Sequence, residues 1–179
     1  MPGLAPQSMV CRLKERIVIY ELSGDILLSG AKAIVQGVAP NDDFHHGLAL
    51  QLRERMPSMY KDFRHHCQTK HPKAGELWTW MSSDGRFIVN LFTQDAAYDL
   101  GSKPGHATLH HINHSLHALR NFVQKEAVGS IALPRLACGI GGLDWAEVKP
   151  LIEKHLGDLG IPVYVYITYQ KGAKADEHK

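Results

Sequence analysis

Short β-branched runs alternate with longer segments of helical period along most of this chain, and that alternation limits the folds open to it. Strand-like runs are predicted at Ile17–Tyr20, Ala33–Val35, Leu77–Met81, Phe87–Phe92, Ser130–Leu133 and Val163–Ile167. Apolar residues at intervals of three and four predict helices that include Leu48–Met56, Leu109–Val123 and Trp145–Leu156. The pattern indicates an α/β domain with three layers, in which helices cover both faces of a mixed, mostly parallel sheet of about six strands. Ligands of such sheets bind in a crevice at the carboxyl ends of the strands.

Local signals mark where these elements begin and end. The turn Ser82–Gly85 contains Asp-Gly, which predicts a hairpin between the two strands beside it. Asp144, three residues before Glu147, has the spacing of a capping box at the start of the last helix. Polar or Pro- and Gly-rich composition at the two ends predicts a flexible leader over residues 1–12, a folded domain over 13–170 and a disordered tail over 171–179.

Composition excludes several classes of protein. The formal net charge is +2, with basic and acidic residues interspersed, which does not indicate an extended nucleic-acid groove. The three cysteines, Cys11, Cys67 and Cys138, form no C-x-x-C pair, which argues against a disulfide framework and a structural zinc site. The chain shows neither a signal peptide nor an apolar run of membrane-spanning length, so we expect a cytoplasmic protein, and we expect it to be a monomer.

The strongest local signal is the glycine-rich turn Cys138–Gly142, which follows a strand and precedes a helix. Glycines let a ligand approach the backbone, and successive amides in such a turn can form an anion-binding nest at a helix N-terminus. No Gly-Lys-Ser/Thr follows, and the turn comes after the fifth strand, so it is neither a Walker loop nor the dinucleotide fingerprint. The residues alone leave two interpretations open, a phosphate-binding turn and a tight β–α connection without a ligand.

Two further loops carry groups suited to ligand binding. The loop from Asn41 to Ala49 lies between a strand and a helix, and it could hold a diphosphate or ribose with Asp or His polarising a water. Its Asp42 or Asp43 could instead serve only as a helix N-cap. Asp25, which follows the first strand, could accept a hydrogen bond from an adenine amino group or could cap the turn after it.

Histidines are frequent, but they do not indicate a metal site. His110, His114 and His117 share helical spacing, which could form a metal-binding face. Because the apolar stripe that includes Ile112 occupies the opposite face, we expect these histidines to point to solvent. We predict neither a metal nor a cofactor.

The three loops together resemble the macrodomain, the ADP-ribose-binding module, over roughly Ile17 to Ile167. The run from Ile131 to Pro134, leading to the glycine-rich turn and then to Asp144 and Trp145, resembles one branch in particular. That branch contains the terminal ADP-ribose protein glycohydrolase, DNA ADP-ribosyl glycohydrolases and the yeast-type ADP-ribose 1″-phosphate phosphatase.

The resemblance implies a set of ligand-binding residues. Asp25 would contact adenine with Ile26 beside it, while His46, Gly47 and Leu48 would line the first phosphate loop. The second phosphate loop would be lined by Cys138, Gly139, Ile140, Gly141, Gly142 and Leu143.

Two positions depart from the pattern of the glycohydrolases. These enzymes have a lysine where this chain has Gln94, and the protein-directed enzyme has an aspartate where this chain has Gly141. A mechanism through a lysine adduct is therefore not supported. The departures favour ADP-ribose 1″-phosphate over a protein or DNA adduct as the substrate.

Two functions of different classes follow from the resemblance. In the one we favour, the chain hydrolyses an ADP-ribose derivative. Asp43, His45 or His106 then activates water, which Asn41 or Gln94 orients. In the alternative, the chain only binds ADP-ribose or ADP-ribosylated molecules as a reader. Binding to a nucleic-acid end is disfavoured by the small net charge.

Overall fold

Six strands form one mixed sheet in the part of the chain that the computed structural model describes, residues 19–96, 98, 105–139 and 142–177. They are β1 (Ile19–Gly24), β2 (Ala33–Val38), β3 (Leu77–Met81), β4 (Phe87–Phe92), β5 (Ile131–Pro134) and β6 (Val163–Tyr169). Their order is β1-β6-β5-β2-β4-β3, and every neighbouring pair is parallel except the edge pair β3 and β4. The predicted α/β class and the mostly parallel sheet are confirmed.

Helices cover both faces of the sheet. They are α1 (Gly47–Arg55), α2 (Pro57–Lys70), α3 (Leu109–Glu126) and α4 (Trp145–Leu156), with a 3₁₀ turn over Ile26–Leu28. Pro57 takes the first position of α2, where its missing N–H costs no hydrogen bond, and it separates α2 from α1.

The core is divided by the sheet, because successive strand residues point to opposite faces. In β2, Val35 packs with the apolar stripes of α3 and α4, whereas Ile34 packs with residues of α1 and α2 such as Leu52 and Phe63. A mostly parallel sheet buried on both faces explains why its strands read as continuous apolar runs.

The local signals were largely correct. Gly85 has a φ of 83° and its N–H donates to the carbonyl of Ser82 at 3.0 Å, which confirms the hairpin between β3 and β4. Asp144 is the N-cap of α4, although its carboxylate accepts from the N–H of Ala146 at 3.1 Å and not from that of Glu147.

The structure describes most of the predicted tail but none of the predicted leader. The leader over residues 1–12 lies outside the described residues. Residues 171–177, predicted as part of a disordered tail, lie against the domain, where Ala175 is buried and Glu177 accepts three hydrogen bonds. Polar contacts hold this segment, and polar composition alone does not reveal them.

No helix in the described ranges is long and apolar enough to cross a membrane. Cys67 and Cys138 carry free thiols, and Cys11 lies outside the described residues.

Candidate ligand-binding site

A cleft of about 270 Å³ opens at the carboxyl ends of β1, β5 and β6, where the α1 helix begins. This is the edge at which parallel sheets bind ligands. It is lined by Gly24, Ile26, Gly47, Leu48, Gln51, Pro134, Tyr166 and Tyr169. Three predicted ligand-binding residues, Ile26, Gly47 and Leu48, are therefore brought together.

Apolar and aromatic side chains form the walls of this cleft. Tyr169 leaves the end of β6 with 49% of its surface exposed, and its hydroxyl donates to Oε1 of Gln51 on α1 at 3.3 Å. Tyr166 lies three residues earlier in β6, and Leu48 belongs to the first turn of α1. Flat aromatic rings beside aliphatic groups suit a planar base, whose faces stack on them.

Asp25 lies beside this cleft but is buried, with 2% of its surface exposed. One carboxylate oxygen accepts from the N–H of Leu27 at 3.0 Å, and the other from the N–H of Gly172 at 3.0 Å. The capping role that the sequence left open is therefore present. An adenine that contacted Asp25 would therefore share carboxylate oxygens that already accept hydrogen bonds from Leu27 and Gly172.

The loop after β2 is held in place by Phe44. This residue is fully buried despite a φ of 54°, and its ring lies 4.6 Å from that of Phe63, centroid to centroid. Its N–H donates to Oδ1 of Asp42 at 2.8 Å. Neither Asp42 nor Asp43 is the N-cap of α1, since His46 occupies that position and makes no side-chain cap bond. The capping role suggested by the sequence was wrong because α1 begins only at Gly47, four residues after Asp43.

Asn41 in the same loop carries an unpaired buried atom. Its φ is 63°, a left-handed conformation that asparagine tolerates, and its N–H donates to Sγ of Cys67 at 3.2 Å. Within the described residues, its Oδ1 is buried without a hydrogen-bond partner. Such an acceptor costs free energy unless a donor reaches it.

The candidate acid–base groups are partly assembled. Nε2 of His45 lies 3.5 Å from Oδ2 of Asp43, and both side chains are more than half exposed. Beside them, burial raises the pKa of Asp42 above its ordinary value. His106 is exposed on a different loop, which precedes Thr108, the N-cap of α3.

Gln94 lies just after β4, as the resemblance required. Its Nε2 donates to the carbonyl of Gly105 at 3.0 Å, so the side chain links the two described sides of the loop between β4 and α3. No amine stands at this position, and Gln94 is half-buried.

The glycine-rich turn after β5 folds on itself where it is described. The N–H of Gly142 donates to the carbonyl of Gly139 at 3.1 Å, and that of Leu143 donates to the carbonyl of Ala137 at 2.9 Å. These two amides are thus not free members of a preformed anion nest. Ile140 and Gly141 lie outside the described residues. The thiol of half-buried Cys138 donates to the carbonyl of Leu136 at 3.3 Å, and burial raises its pKa.

The described glycines of the two predicted phosphate loops face open space. Among the residues that the structure describes, none has an atom within 4 Å of a Cβ built on Gly47, Gly139 or Gly142. Gly47 and Gly142 also have positive φ, at 57° and 77°. Packing within the protein does not require their small size, which leaves room for a ligand beside the backbone.

The histidines of α3 are exposed at His110, His114 and His117, as predicted from the apolar stripe. Among the described residues, no group of three or more His, Cys, Asp or Glu side chains is placed to hold a metal ion.

Sequence reasoning missed the aromatic wall of the cleft. Tyr166, Tyr169 and Gln51 were not predicted, although a tyrosine just past the apolar run of the last strand, Tyr169, was a usable signal. Whether these side chains line a cleft depends on which element packs beside the end of β6, and only the tertiary structure shows that this element is α1.

The strand order, the helices on both faces and the cleft at the carboxyl ends, between loops that follow β1, β2 and β5, define a macrodomain fold. A solved macrodomain, that of Thermus aquaticus DarG, has the same architecture with a TM-score of 0.73 and 27% identity, covering 83% of this chain and 97% of that chain. Thermosipho africanus DarTG, solved in complex with ADP-ribose, also has a TM-score of 0.73, with 23% identity over 87% of this chain and 42% of that chain.

The relatives in sequence are named as ADP-ribosyl hydrolases. A Thermosipho africanus fusion of a DNA ADP-ribosyl transferase and a DNA ADP-ribosyl glycohydrolase is 28% identical over 172 residues, covering 89% of this chain and 44% of the relative. The DNA ADP-ribosyl glycohydrolase of Thermus aquaticus is 29% identical over 147 residues, which cover 80% of this chain and 39% of the relative. Human ADP-ribose glycohydrolase OARD1 is 32% identical over 94 residues, which cover 52% of this chain and 57% of the relative. The chain thus spans less than half the length of the first two relatives. No protein-family model matches it.

Proposed function

We propose that this chain binds ADP-ribose in the cleft and hydrolyses a group attached to the distal ribose of that ligand. The observation that carries the proposal is the cleft itself, whose aromatic wall of Tyr166 and Tyr169 adjoins the open glycine at Gly47. An aromatic wall accommodates a base, and a backbone open to approach accommodates a diphosphate. The names of the relatives support the same ligand and the same class of reaction.

The groups available for hydrolysis lie in the loop after β2. His45, with Asp43 beside it, is the pair placed to take up a proton from water. The unpaired Oδ1 of Asn41 can accept a hydrogen bond from a ribose hydroxyl or from that water.

The linkage we favour is the 1″-phosphate ester. Gln94 supplies no amine for a covalent adduct with the distal ribose, and position 141 supplies no carboxylate. Hydrolysis of a phosphate ester needs neither group if a base activates water. The names of the relatives point instead to a glycosidic linkage, so the two linkages are tested side by side.

Binding is tested by calorimetric titration of the chain with ADP-ribose. We expect saturable binding that Tyr169→Ala weakens by about 5- to 150-fold, the loss of one base–aromatic stack. Met81→Ala is the control, because Met81 is 55% exposed on β3, at the sheet edge opposite β1. Absence of binding at millimolar ADP-ribose would exclude the proposed ligand.

Hydrolysis is tested with ADP-ribose 1″-phosphate, mono-ADP-ribosylated DNA and mono-ADP-ribosylated protein in parallel. We expect phosphate release from the first substrate to be fastest, and we expect His45→Gln and Asp43→Asn to slow turnover by about 100-fold or more while ADP-ribose still binds. Faster release of ADP-ribose from DNA or protein would assign a glycohydrolase. No turnover of any substrate, with binding intact, would assign a reader.

A further inference from the structure

The segment that follows β6 runs back over the carboxyl end of β1 and forms a continuous set of hydrogen bonds there. The N–H of Gln170 donates to the carbonyl of Gly24 at 3.0 Å, and the N–H of Asp25 donates to the carbonyl of Ala173 at 2.7 Å. The N–H of Gly172 donates to the carboxylate of Asp25 at 3.0 Å. We call residues 170–177 the strap.

Glu177 fastens the far end of the strap. Its Oε2 accepts from the hydroxyls of Ser29 and Tyr166, each at 2.6 Å, and its Oε1 accepts from the N–H of Gly30 at 2.9 Å. Ser29 and Gly30 follow the 3₁₀ turn that begins with Ile26, and Tyr166 is a wall of the cleft. One carboxylate therefore joins two sides of the cleft that lie far apart in sequence.

The end of β1 is shaped to receive the strap. A Cβ on Gly24 would lie 2.9 Å from the carbonyl oxygen of Ala173 and 2.9 Å from Cβ of Ala175, closer than side chains tolerate. Ala175 is 9% exposed and packs among the buried residues beneath α1 and α2. A close backbone approach, a buried small residue and a carboxylate with three donors are independent signs of a specific contact.

The protonation state of the anchoring hydroxyl suits this role. Burial, and then the hydrogen bond to Glu177, raise the pKa of Tyr166 above its ordinary value. The phenol therefore stays protonated as a donor to Glu177 across the physiological range of pH.

From these contacts we infer that Glu177 is a positioning residue for the ligand, which sets the base-binding end of the cleft by tying the turn after β1 to Tyr166. The inference rests on the proposed function for the identity of the ligand, but the tie between the strap and the turn is tested without any ligand. Glu177 does not line the cleft, so its effect is transmitted through Ile26 and Tyr166.

The test compares Glu177→Ala, Glu177→Gln and the control Lys174→Ala, whose side chain is exposed in the same strap. Amide hydrogen exchange of the free protein is measured at Gly30, with the amide of Val89 in the sheet core as an internal reference. We expect Glu177→Ala to speed exchange at Gly30 but not at Val89. We expect it to weaken ADP-ribose and AMP binding by the same factor, about 2- to 10-fold. Equal losses indicate an effect on the base end, because AMP lacks the distal ribose.

The conservative variant separates positioning from simple packing. Glu177→Gln keeps one oxygen acceptor, so exchange at Gly30 and both affinities should lie between those of the wild type and Glu177→Ala. Gly24→Ala should displace the strap and reproduce the effects of Glu177→Ala, whereas Gly129→Ala should not, because a Cβ on Gly129 meets no atom of the described residues within 4 Å.

Unchanged exchange at Gly30 in Glu177→Ala would overturn the inference, as would an equal loss of affinity in Lys174→Ala. If the wild type binds no ADP-ribose while Glu177→Ala still speeds exchange at Gly30, the proposed function fails. The tie between the strap and the turn then stands without its role in ligand binding.

Discussion

At the scale of single residues, the loop after β2 departs from ordinary backbone and hydrogen-bonding rules at two positions. Asn41 and Phe44 both have left-handed φ without being glycine, and Asn41 keeps a buried oxygen without a partner. A strained conformation and an unsatisfied group each cost free energy, which burial nearby offsets, here of the Phe44 ring.

Asn41 can be replaced in a way that separates binding from stability. Asn41→Gly keeps a left-handed conformation available and removes the unpaired oxygen. We therefore expect the free energy of unfolding to be unchanged or slightly higher, because the Asn41 side chain makes no hydrogen bond to another described residue. We expect ADP-ribose to bind about 2- to 10-fold more weakly, the loss of one hydrogen bond. Chemical denaturation and calorimetric titration of the same samples measure the two effects.

The opposite combination would contradict this interpretation of the loop. A variant that unfolds more readily but binds ADP-ribose normally would show that Asn41 serves the fold and not the ligand.

At the scale of secondary-structure elements, α3 and α4 are joined by polar contacts at the rim of their apolar interface. Nε2 of His155 and Oδ1 of Asn113 lie 2.7 Å apart, and Arg120 donates to the carbonyl of His155 at 2.8 Å and pairs with Asp158. Burial, and then the nearby side chains of Lys154, His117 and Arg120, lower the pKa of His155. The folded state thus favours the neutral imidazole.

This lowered pKa predicts a pH dependence of stability. In the unfolded chain His155 takes up a proton as the pH falls through about 6.5, whereas the folded chain resists protonation until a lower pH. The contribution of His155 to the free energy of unfolding is therefore complete above about pH 6.5. It declines as the pH falls from there to the lowered pKa of the folded state. The free energy of unfolding, measured by urea denaturation between pH 5 and 8, should rise with pH. His155→Gln should reduce this slope by at most about 1.4 kcal/mol per pH unit.

The control for this prediction is His65→Gln, because His65 is exposed on α2, away from α3 and α4. An equal change of slope in both variants would show that the effect is not specific to the α3–α4 contact.

At the scale of the whole molecule, the parallel arrangement of five strands places the loops that follow them at one edge of the sheet. The cleft draws its lining from three of these strand ends and from α1, which lie far apart in the chain. The macrodomain fold thus gathers weak local motifs into one site, and no single motif would have identified it.

Much of the architecture could be predicted from local patterns. The bounds of β3, β4 and α4 were predicted correctly, because each lies between strong turn or capping signals. The bounds of β1 were not, since β1 continues to Gly24 through pairing of Ser23 and Gly24 with Thr168 and Tyr169. Pairing between distant strands extends a strand beyond what its own composition predicts.

The candidate site was predicted less completely than the fold. Ile26, Gly47 and Leu48 were located because glycine and strand–helix boundaries leave a local signature. Tyr169 and Glu177 were not, because the role of a surface tyrosine, or of a glutamate after β6, depends on which residues the folded chain brings against it.

The sequence by itself determined the α/β class, both helical layers, the loop after β2 that ends at Gly47 and the glycine-rich turn after β5, since periodicity and turn chemistry act between near neighbours. Only the tertiary structure decided that Asp25 is buried beneath the strap, that residues 171–177 pack against the domain and that Asn41 keeps a free acceptor. Each of these depends on hydrogen bonds or burial among residues distant in the chain, and local composition does not identify such partners.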